Sequence, residues 1–274
     1  MRAERDIEDI EIRLLLEAVH LRYGFDLREY AQSSLRRRIQ SALAKSGLAH
    51  LGELQHRVLE DRASFAELLD DLTVRVTEMF RDPPVHRAFR ERVVPILRTY
   101  PLLKIWHGGC ASGEEAYASA ILLEEEGLYE RTQIYATDLS PSALEQAKLG
   151  LYPAKRFTTF SDNYRAAGGR RAPSEYYTQA YDHVAIRSSL KRNILFFQHN
   201  LVSDHVFGEM HVIFCRNVFI YFGEELRRRV IDKFTQSLCP GGFLCLGAAE
   251  RLPQASRSRF SEFLGAERIY RYEG

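Results

Sequence analysis

The sequence predicts an α/β fold: a mostly parallel sheet covered by helices on both faces, carrying a small β insert and preceded by an all-helical domain. Three observations carry that expectation. Residues 1–85 show helical spacing only, strands alternate with helices from about residue 102 onward, and the alternation breaks between about 153 and 193. Alternating strands and helices favour a parallel sheet, because each helix returns the chain across one face.

The helical part opens with Ile7, Ile10, Leu14, Leu15 and Ala18 on one face and reaches a stop at Gly24. A second helix is expected over about 27–45 with Gly47 just beyond it, and shorter ones over about 50–60 and 64–72. "DPP" at Asp82–Pro84 breaks the pattern and can begin a connecting helix, assigned to 86–101. "LLKIWHG" reads as the first strand and 113–126 as its helix. "TQIYATD" and a helix over 140–149 repeat the unit. "ILFFQHN" and "MHVIFCRN" read as two more strands, followed by a helix over 223–238, the strand "FLCLGA" and a last strand in "ERIYRY". Inside the interruption, "EYYTQAYDHVAIRSSLKRN" reads as a hairpin or three-stranded insert, and the stretch before it, with Gly168–Arg171, as loop. Residues 102–274 would then form one domain, with 1–85 in front of it.

Bulk composition narrows the classes. The chain has 274 residues, 45% hydrophobic and 27% charged, as in a water-soluble globular protein. A formal net charge of +1 gives no overall field for nucleic acid or membrane. Cys110, Cys215, Cys239 and Cys245 show no CxxC spacing, so neither a zinc site nor a disulfide framework is expected, and a reducing cytoplasm fits. No apolar run approaches the roughly 20 residues of a membrane helix. The start, "MRAERDIEDIEIRLLLEAV", is acidic and amphipathic, unlike a signal peptide.

The chemistry lies at the strand ends, where ligands of such sheets bind. After the first strand comes "GGCASGEE". Gly109 and its neighbours let a ligand approach the backbone, while Glu114 and Glu115 argue for a cationic ligand. The turn is neither GxGxxG, since Cys110 replaces the second glycine, nor a P-loop, since GK[ST] is absent. Asp138 ends the second strand, where an acid can hold both hydroxyls of a ribose. Asn200 follows the third strand, and Arg216–Asn217 the fourth. A nucleoside with an ammonium-bearing tail suits this set, and S-adenosylmethionine fits that description.

Plainer readings stand beside these. Glu114 and Glu115 could be first-turn acids, Asp138 a helix cap, and Arg216 an ion-pair partner. Tyr221 could be a core tyrosine and Thr77 a cap. His107 reads as a strand-end packing residue, and Cys110 and Cys215 as small buried ones.

The whole chain resembles the CheR family of chemotaxis-receptor glutamate methyltransferases. The motifs that carry the resemblance are "TEMFRDP" (77–83), "CASGEEAY" (110–117), "YATDLS" (135–140), "QHNL" (198–201) and "FCRNVFIYF" (214–222), in family order over nearly the full length. It implies a Rossmann-like S-adenosylmethionine-dependent methyltransferase sheet with a small β insert, plus an N-terminal all-helical domain that faces the receptor. It also implies Thr77, Arg81, Gly109, Glu115, Asp138, Asn200, Leu201, Arg216 and Asn217 as cofactor contacts, Arg81 and Tyr221 as the residues facing the methyl group, and S-adenosylhomocysteine as product. The basic run Arg36–Arg37–Arg38 would meet acidic methylation helices of the receptor's cytoplasmic domain, although such a run is also an ordinary solvated face. Two positions depart from the family: Ala116 stands where proline is common, and Arg75 where asparagine is common. The turn near 179–183 is short, which argues against docking of a C-terminal receptor tether.

The resemblance implies a cytoplasmic, monomeric enzyme acting on receptor glutamates. Rival readings are a cofactor-binding signalling module with weak or lost catalysis, and a methyltransferase on another sensory partner. A base-amino methyltransferase is disfavoured because "RNVFIY" lacks the prolines of [DNS]PP[YF], and an NAD oxidoreductase because the glycine fingerprint is wrong.

Overall fold

The computed structural model describes residues 2–73 and 77–274. Four helices come first: α1 (Arg2–Tyr23), α2 (Gln32–Ser46), α3 (Leu51–Glu60) and α4 (Arg62–Leu72). Their apolar stripes meet in one core that includes Ile12, Leu16, Val19, Leu35, Ile39, Val58 and Leu68. Asp61 caps α4 by accepting from the amides of Ala63 and Ser64, at 3.1 and 2.9 Å. Gly47 closes α2 in the left-handed conformation, with φ 70°. α2 begins later than its apolar spacing suggests, because the segment before it is used for pairing. Tyr30 forms a bridge with Phe222, and Ala31 N–H donates to the Tyr221 carbonyl at 2.8 Å.

The connecting helix is not continuous over 86–101. α5 (Pro83–Ala88) passes through a π-helical turn, Phe89–Val93, into α6 (Val94–Leu97). Pro95 has no N–H and crowds the carbonyl four residues earlier, and a widened turn upstream relieves both problems.

The remaining elements, in order, are β1 (Leu103–Gly108), α7 (Glu114–Glu125), β2 (Thr132–Asp138), α8 (Pro141–Leu149), β3 (Leu151–Pro153), α9 (Phe160–Ala166), β4 (Tyr177–Ala180) and β5 (His183–Ile186). They continue with β6 (Ile194–Gln198), β7 (Met210–Cys215), α10 (Glu224–Ser237), β8 (Leu238–Leu246), β9 (Phe260–Leu264) and β10 (Ile269–Tyr272). The main sheet has seven strands in the order β6-β2-β1-β7-β8-β10-β9. β6, β2, β1, β7 and β8 run parallel, while β10 is antiparallel to both β8 and β9. The insert is a separate three-stranded antiparallel sheet, β3-β5-β4.

Three elements have no counterpart in the sequence reading, the first being β3, which stands ahead of the stretch read as the insert's strands. α9 lies where loop was expected and buries Phe160 and Tyr164. β9 is a sheet-edge strand whose middle residues are exposed, so its pattern carries little apolar signal. Strand order reverses beside β1: the chain goes to β2 and β6 on one side, then to β7 and β8 on the other. That is the topological switch point, and it opens a crevice at the carboxyl ends of β1 and β7.

Candidate functional site

A cleft of about 1130 Å³, counting its open mouth, lies at that switch point. Thr77, Arg81, Gly109, Glu115, Asp138, Asn200, Leu201, Arg216, Asn217 and Tyr221 all line it. Sequence positions more than a hundred residues apart thus converge on one surface. The helical domain supplies part of the wall through Tyr30, Leu72 and Thr73, which the sequence reading did not single out.

The turn after β1 makes room for a ligand. Gly109 has φ 78°, and a Cβ there would lie 2.5 Å from Val218 Cγ2. Gly113 has φ 92°, and a Cβ there would meet the Ala147 Cβ at 2.8 Å, so glycine lets α7 start close against α8. Asp138 accepts from the amides of Ala111 at 2.7 Å and Ser140 at 2.9 Å, one on each carboxylate oxygen. Each oxygen keeps a second lone pair for a hydroxyl donor. Burial raises the Asp138 pKa, partly offset by those amides. Asp138 is not the cap of α8; Ser140 is, accepting from the Ala143 amide at 3.1 Å.

Glu115 is the charged centre. Its Oε2 accepts from Arg216 Nη1 at 2.8 Å, and its Oε1 lies 3.0 Å from His107 Nδ1. Burial alone would raise its pKa, but Arg216 and His107 outweigh it and the carboxyl falls to about 2. Arg216 is fully buried. Its Nη2 donates to Asp82 Oδ2 at 2.8 Å and to the Arg81 carbonyl at 3.1 Å. Asp82 and His107 are therefore members of the site that the sequence reading missed. His107 does pack, stacked on Phe214 at 4.7 Å, but it also orients Glu115. Its place at the end of β1, eight residues before Glu115, was the available signal. Glu114 is not an exposed first-turn acid: it is 1% exposed, 3.3 Å from Arg156 and 2.7 Å from Ser112 Oγ.

On the loop after β7, Asn217 takes a left-handed φ of 62° and Tyr221 ends a short 3-10 turn. Burial raises the Tyr221 pKa, with Arg38 and Arg81 pulling the other way. Asn200 Oδ1 accepts from the Val202 amide at 2.9 Å, which fixes the turn that brings Leu201 to the cleft. Cys110 and Cys215 are buried free thiols, and burial lifts both pKa values well above the ordinary range.

The basic run does not act as one patch. Arg36 pairs with Glu8 at 3.5 Å and with Asp9, both on α1. Arg38 turns inward, its guanidinium 5.4 Å from the Tyr221 ring centroid and its Nη1 3.4 Å from the Thr73 carbonyl. Arg37 is exposed. Helical periodicity explains the split, since three consecutive residues point about 100° apart. Arg75 lies outside the described residues, and Ala116 is buried in the first turn of α7.

The residues fit a cationic nucleoside. Asp82 and Glu115 against Arg216 leave one net negative charge at the β1–β7 mouth, complementary to an ammonium, and Asp138 keeps acceptor capacity for ribose hydroxyls. A doubly wound parallel sheet with this site at its switch point defines an S-adenosylmethionine-dependent methyltransferase. Residues 75–267 match the family model of the CheR methyltransferase SAM binding domain, and residues 10–73 that of its all-alpha domain. The chain belongs to the CheR methyltransferase family.

Three curated relatives match this chain over most of their own length. A methyltransferase named Cher3 from Pseudomonas putida is 48% identical over 272 residues, covering 99% of each chain. Chemotaxis protein methyltransferase 1 of Pseudomonas aeruginosa is 31% identical, covering 82% of this chain and 83% of its own. The chemotaxis protein methyltransferase of Vibrio parahaemolyticus is 30% identical, covering 90% of each.

Proposed function

We propose that the protein transfers a methyl group to the side-chain carboxylate of glutamates in the cytoplasmic domain of a chemoreceptor, giving glutamate methyl esters. The observation that carries this is the placement of Arg81 and Tyr221 on the cleft that also holds Glu115 and Asp138. The names of the chemotaxis relatives support the receptor as partner, and that substrate puts the reaction in the cytoplasm.

When bound, S-adenosylmethionine supplies an electrophilic methyl group and leaves as S-adenosylhomocysteine. Asp138 would hold the ribose, and Glu115, kept anionic, the ammonium. Thr77, Gly109, Asn200, Leu201 and Asn217 would shape the rest of the seat. Arg216 would act chiefly by fixing Glu115 and the Arg81 backbone. The acceptor carboxylate, with an ordinary pKa of about 4.3, is already ionised at neutral pH and requires no base. Arg81 would grip its non-attacking oxygen with a charge-assisted hydrogen bond, leaving the other oxygen to approach in line. Tyr221, raised above its ordinary pKa, stays a neutral donor and orients the acceptor. Exposed Arg37 would face acidic receptor helices, while Arg36 and Arg38 serve the protein's own structure.

The test is transfer of labelled methyl to receptor fragments, with label released as methanol by mild base. Base-labile label that disappears when the candidate glutamates are changed supports the reading. Tight product binding without transfer to any fragment would favour a cofactor-binding signalling module.

A further inference from the structure

We propose that Glu250 is a positioning residue for the loop that carries Arg216, Asn217 and Tyr221. The inference rests on the cofactor assignment and not on the identity of the methyl acceptor. Glu250 follows β8, is 4% exposed, and does not itself reach the cleft. Its Oε2 accepts from the amides of Gly247 at 2.6 Å and Asn217 at 3.0 Å, and its Oε1 from the Ile220 amide at 3.3 Å. One buried carboxylate thus ties the loop after β8 to the loop after β7.

The physical need is plain. β7 pairs with β8 up to Cys215 and Leu246, and the amides just beyond have no ladder partner. Buried amides require an acceptor, and a carboxylate is the strongest one a side chain offers. Asn217 is also held in a left-handed conformation that non-glycine residues rarely adopt. The hydrogen bond that its N–H donates to Glu250 fixes that conformation, which sets where the Asn217 side chain and, four residues on, Tyr221 face the cleft.

Gly247 gives independent support. A Cβ there would lie 2.7 Å from Glu250 Oε2 and 2.8 Å from Asn217 N. The glycine leaves space for the carboxylate bridge, so Gly247→Ala strikes the bridge and Asn217 at its end while leaving the acid in place.

The experiment titrates S-adenosylhomocysteine into the full chain by calorimetry and records amide NMR spectra, for wild type, Glu250→Gln, Glu250→Ala and Gly247→Ala. Glu250→Ala and Gly247→Ala should weaken binding about tenfold, the effect of losing roughly one charge-assisted hydrogen bond's ordering. Glu250→Gln keeps one oxygen able to serve both Gly247 and Asn217, and should recover most of the affinity. The amide resonances of Asn217, Ile220 and Gly247 should move together, with those of β2 unchanged. Folded Glu250→Ala that binds within twofold of wild type would overturn the proposal. So would three moved resonances with unchanged affinity, or a general loss of melting temperature that accounts for the lost binding in all three variants. If Glu250→Ala does not fold, Gly247→Ala decides by the same criteria. Failure of wild type to bind the product would instead overturn the cofactor assignment beneath it.

Discussion

α7 buries carboxylates at both of its ends, and the two clusters are opposites. At its carboxyl end, Glu125 Oε1 accepts from the amides of Arg170 and Arg171 at 3.0 and 3.2 Å, from Tyr176 at 2.9 Å and from Tyr164. Its Oε2 takes Arg90 at 2.6 Å, while Glu126 takes Arg90, Arg98 and Arg170. Acids oppose the helix dipole there, and the crowd of donors compensates. At the amino end, Glu115 shares Arg216 with Asp82; among the described residues His107 Nε2 and Arg216 Nε make no hydrogen bond there, as Arg90 Nε makes none at the other end. In the closed cluster Arg90, Glu125 and Glu126 do not line the cleft at the switch point, and they staple the chain after α9 onto α7. The open one lines the cleft. Buried charge alone therefore does not mark a site; buried charge that lines a cleft does.

The largest effect expected from this contrast is on stability. Glu125→Ala should destabilise the fold by about 3–5 kcal/mol, because Arg90 loses one of its two carboxylates and four further donors lose their acceptor, measured by urea unfolding. Product affinity of the folded fraction should stay within about threefold; a larger loss would mean the two ends are coupled. Glu115→Gln should invert that pattern. Affinity for S-adenosylhomocysteine should fall about 100-fold, or roughly 2.7 kcal/mol, with a smaller loss of stability, since Arg216 keeps Asp82.

A third variant separates binding from turnover at the open end. Arg81→Ala should lower methyl transfer by roughly 100-fold while product affinity changes little, read from single-turnover rates beside calorimetry. Equal losses in both would make Arg81 a cofactor ligand only.

The smallest effect is a pH slope. Burial holds His86, beside the open cluster, down at about 3 from 6.5. The unfolded chain binds a proton below 6.5 that the folded chain refuses until about 3, so stability falls as pH drops through that window. The slope from this group is at most about 1.4 kcal/mol per pH unit, and His86→Phe should flatten it. Glu115 works in the adjoining range. Its carboxylate contributes stability above 4.5 that is lost toward 2, so Glu115→Gln should flatten the lower part instead.

The parallel core was legible because βα alternation is strong, and the cleft residues because they stand immediately after strands or, for Thr77 and Arg81, within a recognised motif. What the sequence hid has local causes. β9 is an exposed edge and α9 is only seven residues long, so neither has enough periodic signal. Pro95 marked a disturbance, but not that it would appear as a π-helical turn upstream. Asp82 and Glu250 act through contacts 134 and 33 residues away, which no spacing rule reveals. The basic run misled because adjacency in sequence is not adjacency on a helix.

The helical domain is fastened over the cleft at separate points: Asp70 to Ser140 and Ser142, Tyr30 to Phe222, and Glu29 to Arg229. Because Tyr30, Leu72 and Thr73 form one wall and the sheet the other, any ligand filling the cleft touches both. By mass action such a ligand is an adhesive between domains, drawing together two bodies it did not join covalently. Spent product, which fills the same seat, would hold them as firmly as fresh cofactor does. Where release of one for the other parts the two walls, the speed of that parting would set an upper bound on how often the protein can act.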